Sequence, residues 1–152
     1  MNYLFALLLG AATGLRTFTP IAVVCWGAYL GHLPLSGTWL GFLGATPAPY
    51  IATALAVAEL VADKLPGTPS RKSPPGFIAR IVVGGLCGAA VGAARGGLAG
   101  GLVAGIVGAV IGTFGGYAGR MSLAGAFGAD LPAALLEDAI AIGVAVLVVI
   151  AA

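Results

Sequence analysis

The chain has 152 residues, of which 60% are hydrophobic and 8% charged, with a formal net charge of +2. Soluble domains usually carry about 25% charged residues, so polar groups cannot cover this surface, and the composition predicts an integral membrane protein. The length fits a single transmembrane domain, residues 1–152, with room for about four to six spans of about 20 residues. The seven basic residues are mostly committed to the membrane or its edge, so no nucleic-acid partner is expected.

The first apolar run extends from Tyr3 to about Leu30 and is too long for one straight helix across a hydrocarbon core of ~30 Å. Its centre reads GLRTFTP. Gly14 can end a helix, and Thr19-Pro20 resembles an N-cap followed by proline at the first helical position. We therefore predict one membrane crossing that breaks near residues 14–19 and restarts at Pro20.

Four further spans complete a predicted all-α bundle of about five transmembrane helices, because the apolar runs are continuous rather than alternating. They run from Tyr50 to Leu65, Phe77 to Ala94, Leu98 to Tyr117 and Pro132 to Ile150. Residues 32–49 form a predicted loop, in which TWLGFLG is too short to span and lies at the interface. Prolines between residues 66 and 75 exclude a helix there. Cys25 and Cys87 lie inside apolar runs and are interpreted as packing residues.

Spans three and four are rich in glycine, since fourteen of the 26 glycines fall between residues 84 and 119. Many are four residues apart, a spacing that lets helix backbones approach closely in lipid. We expect these spans to pack tightly on each other or on a second subunit, which predicts a homo-oligomer among membrane lipids.

Basic residues set the predicted orientation, because Lys64, Arg71, Lys72 and Arg80 all flank the loop after span two. By the positive-inside rule, loop 66–76 faces the cytoplasm of a bacterial inner membrane. Five spans then place the N-terminus inside, Arg95 and the C-terminus outside, and the end of span four inside.

This topology gathers charged side chains from four helices at the cytoplasmic end. Glu59 and Asp63 share one face of span two. The candidate ion- or substrate-binding residues are Arg16, Thr17, Glu59, Asp63, Lys64, Arg71, Arg80, Arg120, Glu137 and Asp138. Ionisable groups inside a span are costly and should pair or face water. Two readings stay open: internal salt bridges that hold the bundle together, or a site for an ion, proton or anionic ligand.

Arg16 lies beside the predicted break, where a buried guanidinium and a half-helix N-terminus would form an anion-binding corner. The alternative is that Arg16 pairs with Glu59 or Glu137. A weak internal repeat is also predicted: GAATGLRTFTP echoes GAVIGTFGGYAGR, and ALAVAELVAD echoes PAALLEDAIA, which places Glu59 opposite Glu137.

The segments GLRTFTP, ELVADKLPGTPSR, and GYAGR followed by LLEDAIAI resemble the signatures of a small bacterial membrane family, the domain of unknown function four-one-two-six. The resemblance covers nearly the whole chain. It implies a multi-span inner-membrane protein with these polar residues as its hallmark, and it implies no activity.

The favoured function is a transporter or channel for a small ion or anionic solute, with no cofactor. One alternative is an enzyme acting on a lipid phosphate, in which Glu59, Asp63, Glu137 and Asp138 would hold Mg²⁺. Against it, the charged residues include no recognised nucleophile or histidine base. The other alternative is a structural or assembly subunit whose charges only pair.

Overall fold

The protein is all-helical over the described part of the chain, as expected. The computed structural model describes residues 2–62, 74–95 and 97–152. The α-helices are α1 (Asn2–Leu15), α2 (Phe18–Tyr29), α3 (Ala48–Ala62), α4 (Pro74–Ala94), α5 (Leu98–Phe127) and α6 (Asp130–Ala151), with a 3-10 helix at Trp39–Gly44. Within these residues, α4, α5 and α6 are long and apolar enough to cross a membrane, while α1, α2 and α3 are shorter apolar helices. Five full-length spans are therefore not confirmed.

The break in the first run is confirmed, with Arg16 and Thr17 between the end of α1 and the start of α2. The run is nevertheless not one crossing, because the chain reverses at the break. Arg16 contacts Asp138 near the start of α6, whereas Gly27 near the end of α2 lies against Val149 near the end of α6. Helix α2 thus returns toward the end of the bundle from which α1 began.

The start of α1 and the C-terminus consequently lie at one end of the bundle. The Arg95 guanidinium donates a hydrogen bond to the Ala151 carbonyl over 2.6 Å and lies 5.1 Å from the ring centre of Phe5. The predicted placement of the N-terminus and Arg95 on opposite faces is therefore wrong. The physical reason is the hairpin, which adds one reversal to the path of the chain.

The predicted internal repeat has no support in the helix directions. Contacts such as Gly10 with Gly105, and Gly14 with Thr113, show that α1 and α5 run parallel. Helices α3 and α6, the other matched pair, run antiparallel. A single symmetry operation that relates the two halves would have to give both pairs the same relative direction, so it cannot relate α1 to α5 and also α3 to α6. Short Gly/Ala-rich segments resemble one another without sharing a structural relation.

Glycines bring α4 and α5, which are the predicted spans three and four, into close contact, as expected. A Cβ atom added at Gly88 would collide with the Gly101 carbonyl oxygen, and one at Gly112 with the Ala11 carbonyl oxygen. Helix α1 therefore joins α4 and α5 in one close-packed layer, which we call the glycine seam. Its glycines are Gly10, Gly14, Gly84, Gly88, Gly92, Gly101, Gly105, Gly108 and Gly112. The seam uses these glycines for packing within the chain.

Prolines mark helix starts more often than the sequence suggested. Helix α4 begins at Pro74 and continues through Pro75, although these prolines were expected to exclude a helix, and α2 begins at Phe18 rather than Pro20. The first-turn N–H groups have no partner inside a helix, so proline removes nothing there. At the other extreme, α5 continues past Tyr117 until Gly128, whose φ of 69° ends the helix.

The remaining local predictions concern packing and the loop. Cys25 and Cys87 are free thiols buried in the core, which confirms their interpretation as packing residues. The TWLGFLG segment forms the short 3-10 helix, which buries Leu40 and leaves Trp39 exposed.

Candidate functional site

Six charged side chains meet where α1 gives way to α2, and we call them the charge cluster. Its members are Arg16, Arg80, Arg120, Glu59, Glu137 and Asp138. Five segments contribute: the break itself and helices α3, α4, α5 and α6. None of the six side chains is more than 15% exposed. With three cations and three carboxylates, the cluster has a formal charge of zero.

Arg16 is the most deeply buried member, with no exposed surface. Its Nε donates a hydrogen bond to Oδ1 of Asp138 over 2.5 Å, and its Nη2 contacts the same oxygen. Oε2 of Glu137 lies 4.0 Å from that Nη2. Arg16 is therefore paired within the chain, as the alternative interpretation has it. Its main partner is Asp138, whereas Glu59 or Glu137 was expected. A buried arginine requires such a partner, because removing an ion pair's counter-charge leaves a bare charge in an apolar surrounding.

Glu59 occupies the start of α2. Its two carboxylate oxygens accept hydrogen bonds from the backbone N–H groups of Thr17 and Phe18, each over 2.8 Å. The first N–H groups of a helix lack partners inside it, and the positive end of the helix dipole favours an anion there. The predicted anion-binding corner of this helix end and the Arg16 guanidinium stays a prediction. A carboxylate of the chain itself occupies the helix end, and the Arg16 guanidinium is directed to Asp138 instead.

Arg80 joins the two half-helices from the side of α4. Its Nε donates to the Gly14 carbonyl over 3.1 Å, and its Nη2 lies 3.9 Å from Oε1 of Glu59. The last carbonyls of a helix attract cations, as its first N–H groups attract anions. Arg80 and Glu59 thus supply the charges that the end of α1 and the start of α2 each favour.

A cleft approaches the cluster from α5 and α6. Its volume is about 110 Å³, and its lining residues are Leu15, Gly116, Gly119, Arg120, Leu123, Ala133, Glu137 and Ile140. Nη1 of Arg120 lies 3.4 Å from Oε2 of Glu137, the same oxygen that faces Arg16. A small solute in this cleft would therefore be one ion pair away from the buried arginine.

The structure brings together most of the residues predicted for the site. Besides the six members of the charge cluster, Thr17 contributes its backbone N–H to Glu59, but its side chain makes no capping hydrogen bond. The predictions for Asp63, Lys64 and Arg71 lie outside the described residues.

Sequence reasoning missed two features of the site. One is the Gly14 carbonyl, a backbone partner of Arg80 that no residue pattern reveals. The other concerns the helix start: Thr19 was predicted to be the N-cap, but Thr17 holds that position, and the buried Thr19 hydroxyl has no hydrogen-bond partner in the described part of the chain.

The Mg²⁺ site of the enzyme alternative has no counterpart in the described residues. Nowhere in 2–62, 74–95 and 97–152 do three His, Cys, Asp or Glu side chains come together as a metal site would require. The carboxylates of the cluster instead contact arginines.

Residues 2–62, 74–95 and 97–152 form six apolar α-helices with a buried charge cluster at a helix break, an arrangement that defines a small helical membrane protein. The family model described as domain of unknown function DUF4126 matches residues 3–152. The chain belongs to this family, which confirms the resemblance in the sequence. No curated protein and no solved structure matches the chain.

Proposed function

We propose that the protein is a small transporter or channel of the bacterial inner membrane that moves a small ion or anionic solute past the charge cluster. Loop 66–76 faces the cytoplasm in this proposal, because the basic residues of the loop and its flanks favour that side. One observation carries the proposal: Arg16 is fully buried, at the break of an apolar helical hairpin, and is ion-paired to Asp138.

Burial of a charged side chain in an apolar bundle costs free energy, so we look for a function that this cost would serve. A charged group at the centre of a span costs about 2.5–3.5 kcal/mol on insertion scales, and well-packed apolar residues often replace a buried ion pair without loss of stability. Transporters place their binding sites at interrupted helices, where backbone N–H and carbonyl groups are free to bind ions. The break between α1 and α2 exposes both kinds of group, to Glu59 and to Arg80.

The cleft beside Arg120 and Glu137 supports the same proposal. It lies between α5 and α6, and its lining residues include Arg120 and Glu137, whose ion pair shares a carboxylate oxygen with Arg16. A shared oxygen allows one arginine to release Glu137 while the other keeps it paired. Exchange of partners of this kind would admit an ion without leaving a bare charge.

A structural role is the second candidate, and the neutral balance of the cluster favours it. Each of its carboxylates lies within 4.0 Å of an arginine nitrogen, as a scaffold of ion pairs would require. In that reading the charges tie together five segments of the bundle and no solute enters.

Flux measurements separate the two candidates. Purified protein in proteoliposomes is tested with a panel of small cations and anions, including protons, sodium, potassium, chloride and formate. We expect wild type to move at least one of them and Glu137→Gln to lose this flux, because the amide keeps the shape of the side chain without its charge. Arg95→Gln is the matched control, since Arg95 lies at the other end of the bundle beside the C-terminus.

The transporter proposal fails if wild type moves nothing in the panel and Glu137→Gln unfolds the protein. An oligomer stays a separate prediction. The glycines of the seam are used within the chain, whereas an added Cβ at Gly115, Gly119 or Gly143 would meet open space. A contact between subunits would therefore use glycines that lie outside both the seam and the cleft, such as Gly115 of α5 and Gly143 of α6.

A further inference from the structure

The hairpin of α1 and α2 is too short to cross a membrane. Helix α1 has 14 residues and α2 has 12, which correspond to lengths of about 21 and 18 Å. The hydrocarbon core of a bilayer is ~30 Å thick, so the hairpin is about 10 Å shorter than the layer. Helices α4, α5 and α6 have 21, 30 and 22 residues, and each is long enough to span it.

The three long helices all continue past the hairpin tip, which we define as residues 16–17. Arg80, whose Nε binds the Gly14 carbonyl next to the tip, is the seventh residue of α4. Asp138, which pairs with the tip, is the ninth residue of α6. Thr113, which lies beside Gly14, is fourteen residues before the end of α5. Each long helix therefore extends at least about 9 Å beyond the tip.

The backbone of the hairpin tip is satisfied by groups of the protein. Glu59 accepts hydrogen bonds from the N–H groups of Thr17 and Phe18, and Arg80 donates one to the Gly14 carbonyl. Irregular backbone is tolerated within the hydrocarbon layer only where it is buried in protein or lines a watery cavity. At the membrane surface water would satisfy the same groups, and buried charged side chains would not be needed for them.

The opposite end of the hairpin carries exposed aromatic rings, which we call the aromatic patch. Its members are Tyr29, Trp39, Phe42 and Tyr50, whose exposed fractions lie between 45% and 62%. Trp39 stacks on Phe42 with the ring centres 6.4 Å apart. Tyrosine and tryptophan concentrate at membrane–water interfaces, because each has an apolar ring and a polar group at its edge.

The connection between α2 and α3 has no formal charge. Residues 30–49 contain no Asp, Glu, Lys or Arg, whereas about five would be usual for a soluble segment of this length. The connection between α3 and α4, residues 63–73, has three basic residues among eleven. An uncharged connection that exposes Trp39 and Phe42 therefore fits the headgroup layer of a bilayer better than bulk water.

We propose that α1 and α2 form a re-entrant hairpin, which enters the membrane at the aromatic patch and ends about 10 Å short of the opposite boundary of the hydrocarbon core. The aromatic patch lies among phospholipid headgroups on the side where the hairpin enters. If loop 66–76 faces the cytoplasm, as proposed, this is the outer side, and the start of α1 and the C-terminus lie there too.

The hairpin gives the charge cluster unequal distances to the two membrane surfaces. Asp138 is thirteen residues from the end of α6, so about 20 Å separates the cluster from the outer boundary. Over that distance α1 is packed in the glycine seam, where an added Cβ at Gly10 would collide with the Gly105 carbonyl oxygen. A solute therefore reaches the cluster from the cytoplasmic side. This route rests on the proposed transport function, whereas the depth of the hairpin does not.

Depth is tested on two lipid-facing residues that lie beyond the hairpin tip. Ile78 is the fifth residue of α4 and Leu135 the sixth of α6, and they are 60% and 53% exposed. Cysteine is introduced at each position in protein without its native cysteines, and membranes open to both sides are treated with a water-soluble maleimide. Phe127→Cys at the end of α5 is the control, because this end extends past the hydrocarbon core.

We expect Ile78→Cys and Leu135→Cys to react at least about tenfold more slowly than Phe127→Cys, because a polar reagent is excluded from hydrocarbon. If the hairpin instead crosses the membrane completely, its tip lies at the boundary and both positions project into water. Labelling of both as rapid as that of Phe127→Cys would therefore overturn the re-entrant hairpin.

The aromatic patch is tested by fluorescence, since the chain has two tryptophans and Trp26→Phe leaves Trp39 alone. In liposomes, bromines near the carbonyl end of the acyl chains should quench Trp39 more strongly than bromines near the methyl end. Ile111→Trp in protein without Trp26 and Trp39 is the control and should show the reverse order, because Ile111 is 57% exposed in the middle of α5. No quenching of Trp39 by either lipid would place the patch in water or against a second copy and overturn its contact with lipid.

The side of entry has its own measurement. Ser36→Cys in the connection between α2 and α3 should react with an impermeant maleimide in intact cells, and reaction only in inverted vesicles would overturn access to the cluster from the cytoplasm. Flux in proteoliposomes is measured separately. Slow labelling of Ile78→Cys and Leu135→Cys without flux would retain the hairpin and reject transport, whereas flux with rapid labelling of both would do the opposite.

Discussion

The glycine seam and the charge cluster lie in one bundle and are held together by opposite means. In the seam, backbones approach so closely that a Cβ at Gly105 would collide with the Gly84 carbonyl oxygen. In the cluster, long charged side chains from different helices pair over distances up to 4.0 Å. The seam leaves no room for a solute, whereas the cluster adjoins a cleft of about 110 Å³.

This difference separates the rigid part of the molecule from the part that can change. Close-packed backbone has one arrangement, since its atoms cannot move aside. Glu137 faces both Arg16 and Arg120 through one oxygen, so it can stay paired with either arginine if the other moves away. The proposed transport of an ion would use both regions, the seam to hold the shape of the bundle and the cluster to exchange partners.

The largest expected effect is in the seam. Gly88→Leu places a side chain against the Gly101 carbonyl and within 2.7 Å of the Gly105 Cα. We expect destabilisation of at least about 3 kcal/mol, or no folded protein, because backbone atoms cannot retreat as side chains do. Gly115→Leu on the same layer of helices is the control, since an added Cβ there meets nothing within 4 Å. Denaturation in detergent compares the two, and equal stability would contradict the seam.

The next effect is in the cluster. Asp138→Ala leaves the Arg16 guanidinium, which has no exposed surface, without its closest carboxylate, and should destabilise the fold by about 3–5 kcal/mol. The double variant Arg16→Met with Asp138→Leu should recover most of this loss, because it removes both charges. The measurement is the free energy of unfolding of the three proteins. A loss below about 1 kcal/mol in Asp138→Ala would show that Glu137 or water, and not Asp138, compensates Arg16.

Glu59→Gln should have a smaller effect on stability, about 1 kcal/mol. The amide oxygen can still accept one of the two N–H hydrogen bonds at the start of α2, but the favourable charge at the helix end is lost. Thermal unfolding in detergent measures the change. Complete unfolding of this variant would show that Glu59 is essential to the fold and that its stabilising effect is underestimated here.

The smallest effect is expected at the far end of the bundle. Arg95→Gln removes hydrogen bonds to the C-terminal carbonyls and the contact with Phe5, and should cost less than about 1 kcal/mol, as for partly exposed charges. Its melting temperature should stay close to that of wild type. If Arg95→Gln lost as much stability as Asp138→Ala, the ion pair of Arg16 would be no more important for the fold than the contacts of Arg95.

The sequence allowed the helical class, the break and the packing of α4 on α5 to be predicted, because each depends on local composition or spacing. The reversal at Arg16 was not predictable, because the apolar run over residues 3–30 is compatible either with one membrane crossing or with a hairpin. The partners of Glu59 also escaped prediction, because they are backbone N–H groups set free by that reversal. The charged residues were chosen correctly as neighbours, while their pairing depended on a path of the chain that composition does not encode.

The central claim, that water reaches the charge cluster but neither the seam nor the outer surface, can be measured on one helix. Ile140 lines the cleft and Leu147 lies further along α6, with exposures of 47% and 69%. Cysteine is introduced at each position in protein whose native Cys25 and Cys87 are replaced by alanine, and the membranes are treated with a water-soluble maleimide. The account predicts rapid labelling of Ile140→Cys and little labelling of Leu147→Cys, because lipid covers the second. Equal, slow labelling at both positions would show a cleft filled by lipid and a cluster that only holds the bundle together.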